Sequence, residues 1–242
     1  ALTEIERSRT ELKEALEKEK ELNELKSRFL SMASHEFRTP LTTILSSASI
    51  IPEYALTEQQ DKRLKHVQRI QSGVNHLNDI LTDFLSLSKI EEGKIAASYV
   101  EANVKELIES IIHEMKDNCK DGQQISYTHT GKESIISDPK LIRNIVINLL
   151  SNAIKFSGDC KEIHVSTTVD SKHIRIQVKD EGIGISKEDK EHLFERFFRG
   201  HNAINIKGTG LGLNIVTKYV ELMNGFIEME SELNKGTTFK IT

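Results

Sequence analysis

The fold class that this sequence predicts is multidomain: an α-helical hairpin that dimerises into a four-helix bundle, followed by a layered α/β sandwich. Three observations predict it. Residues 1–95 contain only two glycines, Gly73 and Gly93, and carry apolar residues at helical spacing. Beyond Glu91-Glu92-Gly93-Lys94 the pattern changes to short alternating runs between amphipathic stretches. Those runs and stretches do not alternate strictly, which favours a layered sandwich over a doubly wound sheet.

The first thirty residues are rich in Glu, Lys and Leu, which favour helix. Leu2, Ile5, Leu12, Leu16, Leu22, Leu25 and Phe29 form a nearly heptad stripe, broken by the six-residue step from Leu16 to Leu22. A short parallel coiled coil with a discontinuity fits this spacing; a single amphipathic helix lying on another domain is the alternative. The helix is expected to run through Pro40, kinked there by the missing backbone donor, and to end near Pro52. Thr57 is the expected cap of a second helix, whose apolar face includes Leu64, Val67, Ile70, Val74, Leu77, Leu81 and Leu85. Each helix of this hairpin has too broad an apolar face for the other to cover. Pairing of two hairpins in a homodimer is the expected solution.

After the linker at 91–94, helical pattern covers Val104–Asn118, and strands are expected at 124–130 and 134–137. Asp138-Pro139 opens a helix, with the aspartate as N-cap and the proline in the first turn. Strands are expected at 161–169 and 172–179, then a short helix from Ser186. A helix from Gly210 to about Asn224, stopped by Gly225, leads to closing strands at 226–231 and 237–241.

Composition narrows the function classes. The formal net charge is -4 and no basic stripe dominates, which argues against a nucleic-acid binder. Cys119 and Cys160 make neither a CxxC nor a metal-ligand spacing and read as free thiols. No run of about 18 apolar residues and no signal peptide is visible. The chain opens in mid-helix and stops on a strand, so it reads as a fragment of a longer protein, and its free thiols fit a reducing, cytoplasmic compartment. The parent can still be anchored in a membrane through a preceding region.

Four segments carry chemistry. In Ser34-His35-Glu36-Phe37-Arg38-Thr39-Pro40, Thr39 lies one turn from His35 on the same face. Glu36 can accept a proton from one imidazole nitrogen and so raise the basicity of the other, which makes a nucleophile. In the helix after Asp138, Asn144, Asn148, Asn152 and Lys155 fall on one face. Amide oxygens suit Mg²⁺ and the lysine suits phosphate; a merely solvated polar stripe is the bland alternative. Asp180-Glu181-Gly182-Ile183-Gly184 follows a strand, which sets a carboxylate at a pocket wall where it can accept from the exocyclic amine of adenine. Gly208-Thr209-Gly210-Leu211-Gly212-Leu213 opens a helix, whose free N–H groups favour phosphate. It is not a Walker A, because no Lys-Ser or Lys-Thr follows. Between the last two, Phe194-Glu195-Arg196-Phe197-Phe198-Arg199 and the polar stretch to Lys207 read as a lid, from which Arg199 can reach a γ-phosphate.

In their order, these segments resemble the boxes of the two-component sensor histidine kinases. His35 to Leu41 resembles the phosphoacceptor box and Asn148 to Ser157 the N box. Asp180 to Gly184, Phe194 to Arg199 and Gly208 to Leu213 resemble the first glycine, phenylalanine and second glycine boxes. The resemblance covers residues 25 to 242. It implies a dimeric helical domain and a Bergerat-type ATP-binding domain shared with gyrase, Hsp90 and MutL. The implied limits are a signalling helix at 1–27, a dimerisation and histidine phosphotransfer domain at 28–92, and a catalytic domain at 93–242.

By matching positions, the resemblance implies His35, Glu36 and Thr39 as catalytic, with Thr39 orienting water in members that also act as phosphatases. It assigns Asn152 to Mg²⁺ with Asn148 in support, Lys155 to phosphate, Phe156 to the adenine pocket and Asp180 to the adenine amine. Gly182, Gly184, Arg199, Gly208, Thr209, Gly210, Leu211 and Gly212 complete the ATP site. The implied reaction is autophosphorylation of His35 by ATP and Mg²⁺, followed by transfer to an aspartate of a response-regulator receiver domain. Two rivals stay open from sequence: an ATPase machine in which nucleotide closure drives conformation, and a dimeric scaffold that binds nucleotide without chemistry.

Overall fold

The computed structural model describes the backbone of residues 2–203, 206 and 208–242. Side chains are described at 9, 12, 13, 16, 17, 19 and 20 and from 33 onward within those ranges. The chain divides into two compact units, residues 1–82 and 83–242. In the first, α1 (Leu2–Ile50) carries Pro40 in its interior. Short 3-10 turns at Ile51–Glu53 and Thr57–Gln59 lead into α2 (Gln60–Glu91).

Thr57 is not the cap expected of it. The flanking residue is Leu56, whose N–H is accepted by Gln59 Oε1 at 3.3 Å. The longer glutamine side chain reaches back over the turn, half of a capping box.

A β-carbon at Gly73 would lie 2.8 Å from Ile44 Cγ1, so the missing side chain is what lets α2 pass close to α1 beside Pro40 and Ile44. Ser47, His66 and Ile80 are buried between the helices, while Leu41, Leu45, Leu64, Val67, Val74 and Leu81 remain exposed on a single hairpin. Of the N-terminal stripe, Leu12 and Leu16 are exposed. Leu2, Ile5, Leu22, Leu25 and Phe29 lie outside the described side chains, and with them the test of the coiled coil. No described helix is long and apolar enough to cross a membrane.

The second unit begins within the last turns of α2, where Leu87 is buried in its core and Ile90 packs against it. It continues as β1 (Val100–Asn103), α3 (Val104–Met115), β2 (Gln124–Gly131), β3 (Ser134–Ser137) and α4 (Pro139–Phe156). Then come β4 (Glu162–Val169), β5 (Ile174–Asp180), α5 (Lys187–Lys190), α6 (Gly212–Leu222), β6 (Ile227–Glu232) and β7 (Gly236–Ile241).

β1 and β3 form a two-stranded antiparallel sheet. The main sheet has the order β2-β4-β5-β7-β6, parallel between β2 and β4 and antiparallel elsewhere. Alternate residues of the strands turn to one side. Ile163, Val165 and Val169, Ile176 and Val178, and Phe239 and Ile241 are buried there among Ile108 and Ile111 of α3, Ile145 and Leu149 of α4, and Ile215 and Tyr219 of α6. One sheet and one helical layer make the two-layer sandwich expected from the sequence.

The end of α6 departs from expectation. Asn224, with φ 57, takes the left-handed position assigned to Gly225. Gly225 closes the turn through its N–H to Val220 O at 2.9 Å. Its lack of a β-carbon serves packing instead, since one would stand 2.5 Å from Thr242 O.

Candidate functional site

The asparagine row is positioned by the helix that carries it. Asp138 Oδ1 accepts the N–H groups of Lys140 and Leu141 at 2.9 and 3.0 Å, fixing the start of α4. Leu141, Ile142, Ile145, Val146, Leu149 and Leu150 are buried in the core. That leaves Asn144 exposed and Asn148, Asn152 and Lys155 half-buried along one flank. Asn148 Nδ2 donates to Asn144 O at 2.9 Å.

Asn148 Oδ1 faces the second glycine box: a β-carbon at Gly212 would lie 2.9 Å from it, and one at Gly208 would collide with Lys155 Nζ. Any larger residue at either position would fill the space beside the amide and the ammonium. The Lys155 ammonium lies 4.8 Å from the centre of the Phe156 ring. Burial lowers its pKa to about 8, helped by the nearby Arg199 charge and opposed by Asp83.

Asp180 ends β5 on the same side as Ile176 and Val178, so strand alternation turns its carboxylate inward. Its Oδ1 accepts Gly182 N at 2.8 Å and Thr237 N of β7 at 3.3 Å. That leaves Oδ2 for a donor on a ligand. Burial pushes its pKa up, and the two backbone donors pull it back. The first glycine box rests on the end of α4: Ile183 N donates to Phe156 O at 3.2 Å, and a β-carbon at Gly182 would lie 2.6 Å from the same oxygen. Gly184 (φ +64) and Gly210 (φ +69) hold left-handed conformations that other residues adopt with strain.

The remaining boxes join through backbone. Phe197 N donates to Gly210 O at 3.0 Å, and Asn214 Nδ2 of α6 donates to Phe194 O at 2.9 Å. Thr209 Oγ1 accepts Leu211 N at 3.1 Å and donates to Asp83 Oδ2 at 2.8 Å, while Leu211 is buried. Arg199 Nη2 donates to Ala203 O and Ile206 O, so its guanidinium braces the lid. Of that lid, residues 204, 205 and 207 lie outside the described ones.

In the first unit, His35 on α1 is 75% exposed, with Nδ1 3.7 Å from Glu36 Oε1. Thr39 Oγ1 donates back to His35 O at 3.3 Å, so its hydroxyl is engaged with the helix backbone.

Two carboxylates escaped the sequence. Asp83 belongs to no motif, and a carboxylate on a long charged helix gives no signal. Asp189 looked like an ordinary acidic residue of a helix start, yet it is 2% exposed and holds both the N–H and the ring Nδ1 of His201, at 3.1 and 2.7 Å. His201 pulls the Asp189 pKa down against the opposing effect of burial.

The donors suit a purine nucleotide: a buried carboxylate, a partly buried ammonium and two glycine segments whose β-carbons would fill the space. Among the described residues no cluster of three or more His, Cys, Asp and Glu side chains could hold a metal by itself. The asparagine amides could therefore contribute only part of a Mg²⁺ shell, with phosphate oxygens supplying the rest.

Comparison with known proteins agrees with this chemistry. Residues 25–93 match the His Kinase A (phospho-acceptor) domain. Residues 137–242 match the histidine kinase-, DNA gyrase B- and HSP90-like ATPase. The circadian input-output histidine kinase CikA of Synechococcus elongatus is 31% identical over 237 residues, covering 96% of this chain and 31% of CikA. The sensor histidine kinase AruS of Pseudomonas aeruginosa is 32% identical over 251 residues, covering 97% of this chain and 24% of AruS. The crystal structure of full-length ShkA in complex with AMPPNP superposes with a TM-score of 0.64, at 26% identity, over 88% of this chain and 44% of that one.

A phosphoacceptor domain joined to an ATPase domain defines the class, a protein-histidine kinase core. The chain belongs to the two-component sensor histidine kinases, and it spans less than a third of the length of the curated relatives named here.

Proposed function

We propose that the chain phosphorylates its own His35 from ATP and passes the phosphoryl group to an aspartate of a response-regulator receiver domain. One observation carries this reading. A single chain combines an imidazole open to solvent beside Glu36 with a second unit in which Asp180, Lys155 and two glycine boxes converge.

In this mechanism Asp180 Oδ2 accepts the adenine amine and Phe156 lines the base. Lys155, with Arg199 once it leaves the lid carbonyls, spreads the charge of the transferring group. Asn152, supported by Asn148, offers amide oxygen to Mg²⁺, which when bound neutralises charge on the phosphates. Glu36 faces Nδ1 of His35, which leaves Nε2 as the nucleophile. As Nε2 bonds to the γ-phosphorus, the bond to the β-phosphate oxygen breaks, ADP leaves, and Glu36 takes up the Nδ1 proton. Thr39 takes the water-orienting role when the regulator is dephosphorylated.

The exposed apolar residues of the hairpin support a homodimer. The functional limits that go with this reading are 1–27, 28–92 and 93–242. Use of ATP and of a receiver domain supports a cytoplasmic location for this core. The test is incubation with γ-labelled ATP and Mg²⁺. The protein should retain acid-labile label, and His35→Ala should retain less than about a hundredth of it. Equal labelling of the variant would mean that another residue is the acceptor.

A further inference from the structure

We infer that Lys120 and Gln123, which lie outside every motif, are positioning residues that clamp the end of α4 and thereby set Lys155 and Phe156 for nucleotide. This rests on the reading of the second unit as the ATP site.

The last four carbonyls of any α-helix lack partners within the helix, and many helices supply them by turning left-handed at a following residue, usually glycine. α4 does not. Its C-cap, Ser157, is extended (φ -86, ψ 149), and only Ala153 O is satisfied locally, by Ser157 N. The other carbonyls are met from outside. Ile154 O accepts from Gln123 Nε2 at 3.1 Å, Lys155 O from Lys120 Nζ at 2.9 Å, and Phe156 O from Ile183 N of the first glycine box. Gln123 Nε2 and Lys120 Nζ also both donate to Ser157 O, and Gln123 Nε2 reaches Gly158 O at 3.0 Å.

The two donors are themselves held together. Gln123 Oε1 accepts Lys120 N at 2.9 Å, and Gln123 N donates to Lys120 O at 3.0 Å. The loop is strapped to the far side of the helix end by Cys160 N, which donates to Asp121 O at 3.0 Å. Gln123 is buried and Lys120 is exposed, its charge set at the negative end of the helix dipole.

The clamped carbonyls belong to the very residues whose side chains face the nucleotide. Ile154, Lys155 and Phe156 are gripped from one side by Lys120 and Gln123 and from the other by the loop that carries Gly182. Released from the first grip, the last turn of α4 can fray, and Lys155 and Phe156 lose their register against Asp180. A shift of that kind weakens binding without removing any group that touches the ligand.

The test uses the whole chain with Lys120→Met, Lys120→Arg and Gln123→Met, measuring the dissociation constant for AMPPNP with Mg²⁺ by calorimetry and the thermal midpoint. Lys120→Met and Gln123→Met should each raise the dissociation constant at least about three-fold at a temperature well below their midpoints. Lys120→Arg, whose guanidinium still reaches both carbonyls, should stay within about two-fold of the wild type. Lower midpoints with unchanged affinity would make the clamp a stabilising cap only and overturn the positioning role. Should Gln123→Met fail to fold, Lys120→Met decides the matter from its exposed position. A wild-type chain that does not bind AMPPNP overturns the ATP-site reading and the positioning role with it; binding by the wild type and equal binding by the variants overturns the positioning role alone.

Discussion

The Lys155 ammonium is half-buried, and the phosphate proposed for it would require it to be charged there. Its pKa near 8 in the folded chain lies below the 10.5 of the free side chain. Between those values the unfolded chain binds more protons, so folding gains stability as pH rises through that window and carries the cost of the buried charge below it. A bound phosphate group reverses the preference and draws the proton back. Nucleotide affinity should therefore be flat below about pH 8 and fall above it, with proton uptake near pH 8.5 in calorimetry compared between two buffers. Lys155→Arg should flatten the profile, because a guanidinium stays charged throughout. Binding at that pH with no proton uptake would show that phosphate does not meet this amine. Spacing along α4 singled out Lys155 and the asparagines, and a glycine-rich turn singled out Asp180. Asp189 stayed hidden because its role comes from His201, twelve positions away, through contacts that only the folded lid makes.

Elements were legible where one local rule dominates. The Asp-Pro start of α4 and the alternating apolar residues of β4, β5 and β7 predicted those elements within a few residues. β1 was not predictable: it is four residues long, its first two positions are exposed, and its pairing with β3 spans more than thirty residues of chain. The helix ends were less legible because several residues compete for each cap. Gln59 displaced Thr57, and Asn224 displaced Gly225, since side-chain reach and packing decide between chemically similar candidates. Asp138 illustrates how much one cap can carry. It fixes two N–H groups of α4, and its Oδ2 also accepts Ser98 N at 2.7 Å. Asp138→Ala should cost about 2 kcal/mol in urea unfolding, with both the helix start and Ser98 left wanting. A loss below about 0.5 kcal/mol would mean that water replaces the cap.

At the scale of the molecule, the hairpin keeps its apolar stripe uncovered. Val74 and Leu81 are 44% and 48% exposed in a single chain. If two hairpins bury that stripe, Leu81→Glu should shift a micromolar solution from dimer toward monomer in sedimentation velocity. A variant that remains dimeric would place the interface elsewhere. The switch in sequence texture near residue 93 marked the two-part plan, but not where packing changes hands. Leu87 reads as more of the helical stripe, yet it belongs to the core of the second unit, because the period of a helix is silent about which neighbour it faces.

The order of the main sheet has one more consequence, for the growing chain. β7 lies between β5 and β6 and is the last of the three to leave the ribosome. Until residues 236–241 clear the exit tunnel, two facing edges wait without a partner. Through that interval the carboxylate of Asp180 also lacks the Thr237 amide that steadies it, so the sheet and the buried carboxylate reach maturity in the same late step.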